Sequence, residues 1–380
     1  MSFLGGKNDN SPDSVKTNDR HMNKAMAAFQ GLITIPCYKW VDSPTIILGV
    51  IASASWNDSI SGLVNSHENL PSHTTCLNAL HQLDIEELEA NNYSILQKSA
   101  ENVIHLGKSY HFAIDITLDP YYGKRTGKYE NYIIGGKRKA STSYFYGYAS
   151  LYVSEPNRHV SLGVVPITKT TRVLGVVTTF IDKIRELDLG IKSLCLDREF
   201  YVADIFNFLQ REEIPHIIPA KMQSSEMKKQ VRGRKSKSFT YELNSGKENA
   251  VMLNVVDCVL YLNGKKDKHG IEHHAFVIYG LCTVPRHVRS RYKRRFGIET
   301  SYRMRNTIKP KTTTKDPVIR YFYALVSFVL QNIWIATKWR TFKKKQPGPA
   351  VIDDKKLSLK HFAKQIQKHA FEKWPLIEVT

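Results

Sequence analysis

HFAIDITLD, residues 111–119, is where the hydrophobic period of this chain changes. Upstream, from about Met22 to Gly107, the pattern is helical. Ile46–Ile51 is an apolar run, and Pro71-Ser72 opens a segment in which Leu77, Leu80 and Leu83 fall at helical spacing. Asp84-Ile-Glu-Glu-Leu-Glu starts another helix with acids in its first turn, where the helix dipole favours them. From His111 the chain reads as strand: HFAIDITLD is short, apolar and carries Asp115. After the polar, Gly-rich stretch GKRTGKYENYIIGGKRKAS come Tyr144–Val153 and His159–Thr168, both rich in β-branched and aromatic residues. Arg172–Leu189 reads as a helix, IKSLCLD as a buried strand ending at Asp197, Val202–Arg211 as a helix and Pro215–Pro219 as a short strand. Three successive strands followed by alternating helix and strand predict a mixed sheet with helices on its faces, and active-site groups in such sheets sit at strand ends.

Between Lys221 and Pro285 the pattern returns to strands at Ser238–Leu243, Val251–Leu262 and His273–Leu281, with turns such as Asn263-Gly264. Val318–Trp339 is a long apolar helix. Its most apolar part, Tyr321–Ala336, is interrupted by Ser327, Gln331 and Asn332, and is too short to span a bilayer comfortably; a buried core helix is expected. KKKQPGP breaks it, and Lys356–Phe371 forms a last amphipathic helix. Met1–Arg20 is polar, lacks an apolar signal-peptide core, and is expected to be a loose tail.

The chain has 380 residues, with 42% hydrophobic and 24% charged, a globular composition. Its 55 Lys and Arg against 35 Asp and Glu give a net charge of +20, which favours a polyanionic partner. The cations concentrate near Lys221–Lys237 and Arg286–Lys311, among polar residues, so a groove for phosphates fits better than a membrane-surface helix. Cys37, Cys76, Cys195, Cys258 and Cys282 are odd in number, widely spaced and without a Cys-x-x-Cys pair, which points to reduced thiols in a cytosolic protein. His269, His273 and His274 cluster without cysteine partners, as a strand-end polar group does.

The segment PRHVRSRYKRRFGIETSYRMRNTIKPK, residues 285–311, holds ten Lys or Arg and one acid, Glu299. As one helix it would bring Tyr292, Arg295, Glu299, Arg303 and Asn306 within an arc of roughly 60–80°. An i,i+4 ion pair of Arg295 with Glu299 explains that acid without any chemistry. Asp115 and Asp197 have structural explanations of their own, as a turn cap and as a helix-opening residue or partner of Arg198. Together, however, the order strand acid, strand acid, helix acid meets the needs of a site for two divalent metals in phosphoryl transfer, where hard oxygen ligands suit magnesium.

On these residues the chain resembles the DDE transposases of the insertion-sequence type, in the group marked by a Tyr-Arg-Glu-Lys signature. Tyr292, Arg295 and Glu299 match that signature in register, while Asn306 stands where the family has Lys. DITLDPYYG resembles the family's Asp-x-Thr strand, giving Asp115, and LDREFY the strand of the second acid, giving Asp197. The resemblance covers roughly Ser109 to Ala336. It implies an α/β fold: an RNase H-like mixed sheet with flanking helices and a β-rich insertion, preceded by an all-α N-terminal domain. The expected division is a tail at 1–20, a helical DNA-binding domain at 21–107, a catalytic core at 108–220 and 286–340, the β-rich insertion at 221–285 and a helical region at 341–380. The helices of 21–107 are equally compatible with a helix-turn-helix reader and with a plain bundle.

The resemblance further implies metal-dependent cleavage of DNA at transposon ends and strand transfer into target DNA. Asp115, Asp197 and Glu299 would be catalytic and would bind two Mg2+ ions, with Mn2+ able to substitute. Tyr292, Arg294, Arg295, Arg303, Asn306 and Lys309 would contact DNA. The implied partners are double-stranded DNA and a second copy of the chain in a synaptic homodimer, with no membrane, in a prokaryotic cytoplasm at the nucleoid. A non-catalytic DNA-binding descendant and a structure-specific nuclease are the alternatives. Some relatives hold a flipped base with a Trp of the insertion; residues 198–298 contain none, and Phe239, Tyr241 and Tyr261 there read as core.

Overall fold

Five helices open the computed structural model, which describes residues 12–36, 41–264, 269–344, 351–353 and 355–377. These are α1 (Pro12–Phe29), α2 (Ser43–Trp56), α3 (Ile60–Ser66), α4 (His73–Leu80) and α5 (Ile85–Ser99). Asp42, Ser59, Ser72 and Asp84 each accept a hydrogen bond from a backbone N–H of the first turn of the helix that follows, satisfying a donor that has no partner within the helix. α2 is buried from Ile46 through Ser55, so its apolar run forms a core helix and not a surface stripe.

The chain then enters a nine-stranded sheet. β1 (Ser109–Pro120) pairs antiparallel with β3 (Thr142–Val153), and β3 carries β2 (Ile134–Lys139) and β4 (Ser161–Ile167) on its far side. α6 (Val173–Glu186) leads to β5 (Gly190–Leu196), and α7 (Ala203–Arg211) leads to β6 (His216–Pro219). β5 lies parallel to β1 and β6 parallel to β5, as expected where a helix makes each crossover. α6 buries Val176, Val177, Phe180, Ile181 and Ile184, a stripe at helical spacing. α8 (Ser225–Gln230) precedes β7 (Lys237–Leu243), β8 (Val251–Asn263) and β9 (His269–Tyr279), and β9 pairs antiparallel with β6. The path β2-β3-β1-β5-β6-β9-β8-β7 is therefore one mixed sheet. α9 (Pro285–Lys293) and α10 (Phe296–Arg305) follow.

α11 (Pro317–Phe342) opens with Asp316 capping Val318 N, and α12 (Leu359–Lys373) with Ser358 capping His361 N. α11 packs with α5, α1 and α2, and Asn332 Nδ2 donates to Ser99 Oγ at 2.9 Å. By length and composition α11 could cross a membrane, but 89% of its most apolar window is buried among its neighbours, the core helix expected from its polar interruptions. β10 (Lys343–Lys344) and β11 (Val351–Ile352) form a small ladder beside it.

The expected fold class, a mixed sheet flanked by helices after an all-α segment, is the one found. The division of the chain differs from the expected one. One unit comprises Met1–Glu101 with Arg303–Thr380, and the other Asn102–Tyr302. α11, expected in the catalytic core at 286–340, belongs with the N-terminal helices, because its apolar surface is covered by α1, α2 and α5. The β-rich segment 221–285 is not a separate lobe: β9 completes the ladder of β6 and joins the three strands to the main sheet. α1 begins at Pro12, inside the expected tail of 1–20, while residues 1–11 lie outside the described residues. Cys76, Cys195, Cys258 and Cys282 are unpaired thiols, and Cys37 lies outside the described residues.

Candidate active site

Basic residues 286–311 do not form one straight helix. α9 ends at Lys293, and three-residue turns (Arg295 N to Tyr292 O, Gly297 N to Arg294 O, Ile298 N to Arg295 O) carry the chain into α10. The break turns Arg295 inward until it is 4% exposed. Gly297 makes the close approach possible: a Cβ there would stand 3.3 Å from the His159 ring, which stacks on Tyr152. α10 is pinned to the sheet by Tyr302, whose hydroxyl donates to Asp115 O at 3.3 Å and meets Ser150 Oγ at 2.7 Å, where Ser150 is the β3 partner of Asp115. Glu299, one turn before Tyr302, is thereby held over the sheet.

All three predicted acids converge on the inward guanidinium. Arg295 Nη1 lies 3.3 Å from Asp115 Oδ2, and Nη2 lies 3.8 Å from Asp197 Oδ1 and 3.2 Å from Glu299 Oε1. Asp197 and Glu299 touch the same nitrogen, so their separation is at most the sum of those two distances. The sheet register explains the first pair: Ile114 pairs with Leu196 across parallel strands, which puts Asp115 level with Asp197 just past the end of β5. Asp197 also caps the 3-10 turn Arg198–Phe200, accepting from Arg198 N at 2.6 Å.

Burial pushes the Asp115 carboxyl up to about 7; the Arg295 guanidinium opposes this, and the Asp197 and Glu299 carboxylates add to it. Burial works against the charge of Arg295, but Tyr292 and the three acids outweigh it and leave its pKa raised. The side chains of Asp197 and Glu299 remain 38% and 50% exposed, open to a ligand. Their oxygens and those of Asp115 are hard donors of the kind divalent magnesium takes. Among the described residues, however, no group of three His, Cys, Asp or Glu is spaced to enclose a metal ion. A guanidinium sets the spacing of these acids.

Beside Asp197 opens a cavity of about 430 Å³ walled by Arg198, His274, Phe276, Tyr292, Phe296 and the faces of Arg289 and Lys293. Phe276, Tyr292 and Phe296 form a row of rings with centroids 4.9 and 6.3 Å apart, and Phe296 is 47% exposed. A second cavity of about 330 Å³ lies between β8 and α9, bounded by Ser236, Cys258, Arg286 and Ser290, with Arg289 and Lys293 lining both. Cys258 is an unreactive thiol, pushed up to about 11 by burial.

The predicted DNA contacts therefore divide. Tyr292 and Arg295 are buried posts within the site, while Arg294 is exposed. Arg303, Asn306 and Lys309 belong to the helical unit, where Asn57 Nδ2 donates to Asn306 O at 2.6 Å. Sequence reasoning placed Arg286, Arg289 and Lys293 within a basic stretch expected to line a phosphate groove without singling them out, and it missed Arg198 as a wall residue. Arg286, Arg289 and Lys293 recur three and four apart, a helical face that could have been found. Of the three insertion aromatics, Tyr241 is buried, Phe239 half-buried and Tyr261 60% exposed, on the part of β8 that runs past the end of its ladder with β7 at Asp257.

No protein-family model and no curated protein sequence matches the chain. Among solved structures, the fold is similar to that in a cryo-EM structure of the piggyBac transposase synaptic complex with hairpin DNA. The match has a TM-score of 0.54 at 11% identity and covers 94% of this chain and 77% of that one. The likeness is one of fold: a mixed sheet of the RNase H-like kind with helices on its flanks.

Proposed function

We propose that this chain is a DNA transposase, which cuts DNA at the ends of a mobile element and joins the freed 3′-hydroxyls to a target. The observation that carries the reading is the convergence of Asp115, Asp197 and Glu299, from two strands and a helix, on Arg295 beside a cation-walled cavity. Asp115, Asp197 and Glu299 would hold Mg2+, or Mn2+ in its place, and such ions when bound polarise phosphoryl oxygens and lower the pKa of a bound water or hydroxyl. Arg295 holds the three carboxylates together. Arg198, Arg289 and Lys293 bind the phosphates on either side of the reacting one, with Arg294, Arg303, Asn306 and Lys309 as further contacts. Double-stranded DNA, as element end and as target, is the partner; a homodimer bridging two ends and a cytoplasmic, nucleoid-associated location complete the reading.

A second reading, DNA binding without cleavage, is favoured by the guanidinium at the centre of the acids and, among the described residues, by the lack of a metal-spaced group. One experiment separates the two. Labelled duplexes taken from the DNA flanking the coding sequence are incubated with the protein and Mg2+, and products are resolved on a gel. Transposition chemistry yields 3′-end nicks and strand-transfer products that Asp115→Asn abolishes. Tight binding without nicks supports the second reading and overturns the first.

A further inference from the structure

Residues 121–142 leave the C-terminal end of β1 as a loop and return through the β2–β3 hairpin. The segment holds six cations, Lys124, Arg125, Lys128, Lys137, Arg138 and Lys139, all exposed, and one acid, Glu130. That acid is already paired, to Lys169 Nζ at 2.8 Å. Among the described residues no ion pair involves Lys124, Lys137, Arg138 or Lys139. β2 is exposed on both faces from Gly135 to Lys139, so its cations do not line one solvated side of a covered strand.

The arm is tied down at its base. Tyr121 Oη donates to Lys124 O at 2.6 Å, Tyr122 Oη to Ala140 O at 2.8 Å, Thr142 Oγ1 to Tyr121 O at 2.8 Å and Lys169 N to Asn131 O at 2.8 Å. Arg125 bonds the Tyr144 hydroxyl and lies over its ring, and Tyr122 stands 70% exposed among the cations. Cations on an edge strand also discourage pairing with other chains, but that role needs neither the loop cations nor the anchoring. The five steps along the six residues from Asp115 to Pro120 span about 17 Å of extended strand, the length of about five base pairs at 3.4 Å each.

We propose that this hairpin is a second nucleic-acid contact, gripping the phosphate backbone of a duplex several base pairs from the site of the acids. The inference rests on DNA as the partner in the proposed function. An anionic membrane fits less well, because the arm has no apolar face to insert.

The test is fluorescence titration of the full chain with a duplex of about three helical turns across a salt series. Replacing Lys137, Arg138 and Lys139 together by Gln is expected to make the log–log salt dependence shallower by roughly 2 to 3, at about 0.9 for each phosphate no longer neutralised. Glu130→Gln, which removes the arm's acid and frees Lys169, is expected to tighten binding, a change that misfolding does not produce. Wild type and triple variant with identical slopes overturn the inference while leaving the proposed function standing. Loss of binding to phosphatidylserine vesicles with unchanged duplex binding also overturns it. A wild-type chain that binds no duplex at any salt overturns both.

Discussion

Arg295→Gln removes a cation shared by three carboxylates, and its cost should depend on pH. The folded state raises Asp115 from its ordinary 3.8 to about 7, so the folded chain holds a proton that the unfolded chain releases. The contribution of this group is thus greatest near pH 4 and declines as the pH rises through about 7. Arg295 limits that decline by attracting the charged form. At pH 8 its loss leaves Asp115, only 8% exposed, charged without a counter-charge or protonated at a cost, on the order of 3 kcal/mol by analogy with broken buried pairs. At pH 5 Asp115 is neutral, and only the half-open ion pairs with Asp197 and Glu299 disappear, about 1 kcal/mol or less.

The assay must follow the sheet-containing unit alone. None of the five tryptophans falls within residues 102–302, and Trp56, Trp334, Trp339 and Trp374 lie in the helical unit, so tryptophan fluorescence does not report it. Amide hydrogen-exchange protection of β1 and β5 does. A loss of about 3 kcal/mol lowers protection by about two orders of magnitude at pH 8, and the loss at pH 5 should stay under about tenfold. Adding Asp115→Asn to Arg295→Gln should restore most of the protection at pH 8. A cost equal at both pH values, or unrelieved by Asp115→Asn, refutes the electrostatic account.

Glu299→Gln should lower cleavage by several orders of magnitude while leaving duplex affinity equal or slightly tighter, since it removes one negative charge from a basic surface; near-normal cleavage on gels would confine Glu299 to pairing with Arg295. Arg289→Gln with Lys293→Gln should make the salt dependence of duplex binding shallower by about 2, and an unchanged slope would empty both cavities of phosphate. His21 is held neutral, its pKa lowered to about 4 by burial and by Arg340 and Lys24, so the helical unit should lose stability as the pH falls from 6.5 toward 4. Tryptophan fluorescence during urea unfolding measures that slope, which should flatten in His21→Gln.

The strands of the central sheet are legible in the sequence because they are short, β-branched and bounded by turns, and local pattern suffices for that. β2 is not, since Gly-Gly-Lys-Arg-Lys has no apolar alternation and is held only by its pairing with β3. The membership of α11 is equally invisible, because a helix buried on every side carries no stripe to say which partner covers it. Asp115 and Asp197 can be placed at strand positions, yet their being level follows from the parallel register of β1 with β5, a pairing between residues some eighty apart in sequence.

The break between α9 and α10 joins these points. A continuous helix would carry Arg295 on the same surface as Tyr292 and Glu299, and its guanidinium would meet Glu299 alone, as helical spacing predicts. The three-residue turns at 294–298 instead lower Arg295 into the sheet, where desolvated Asp115 lacks a counter-charge. An unpaired carboxylate costs most in that position and an exposed arginine gains least by staying in water, so the electrostatic gain opposes the loss of helical hydrogen bonds. Gly297 permits the approach because the Tyr152–His159 pair leaves little room for a side chain. Arg289 and Lys293, on α9 just before the break, line the cavity beside Asp197, so the break assembles the acids next to a basic wall that α9 already carries.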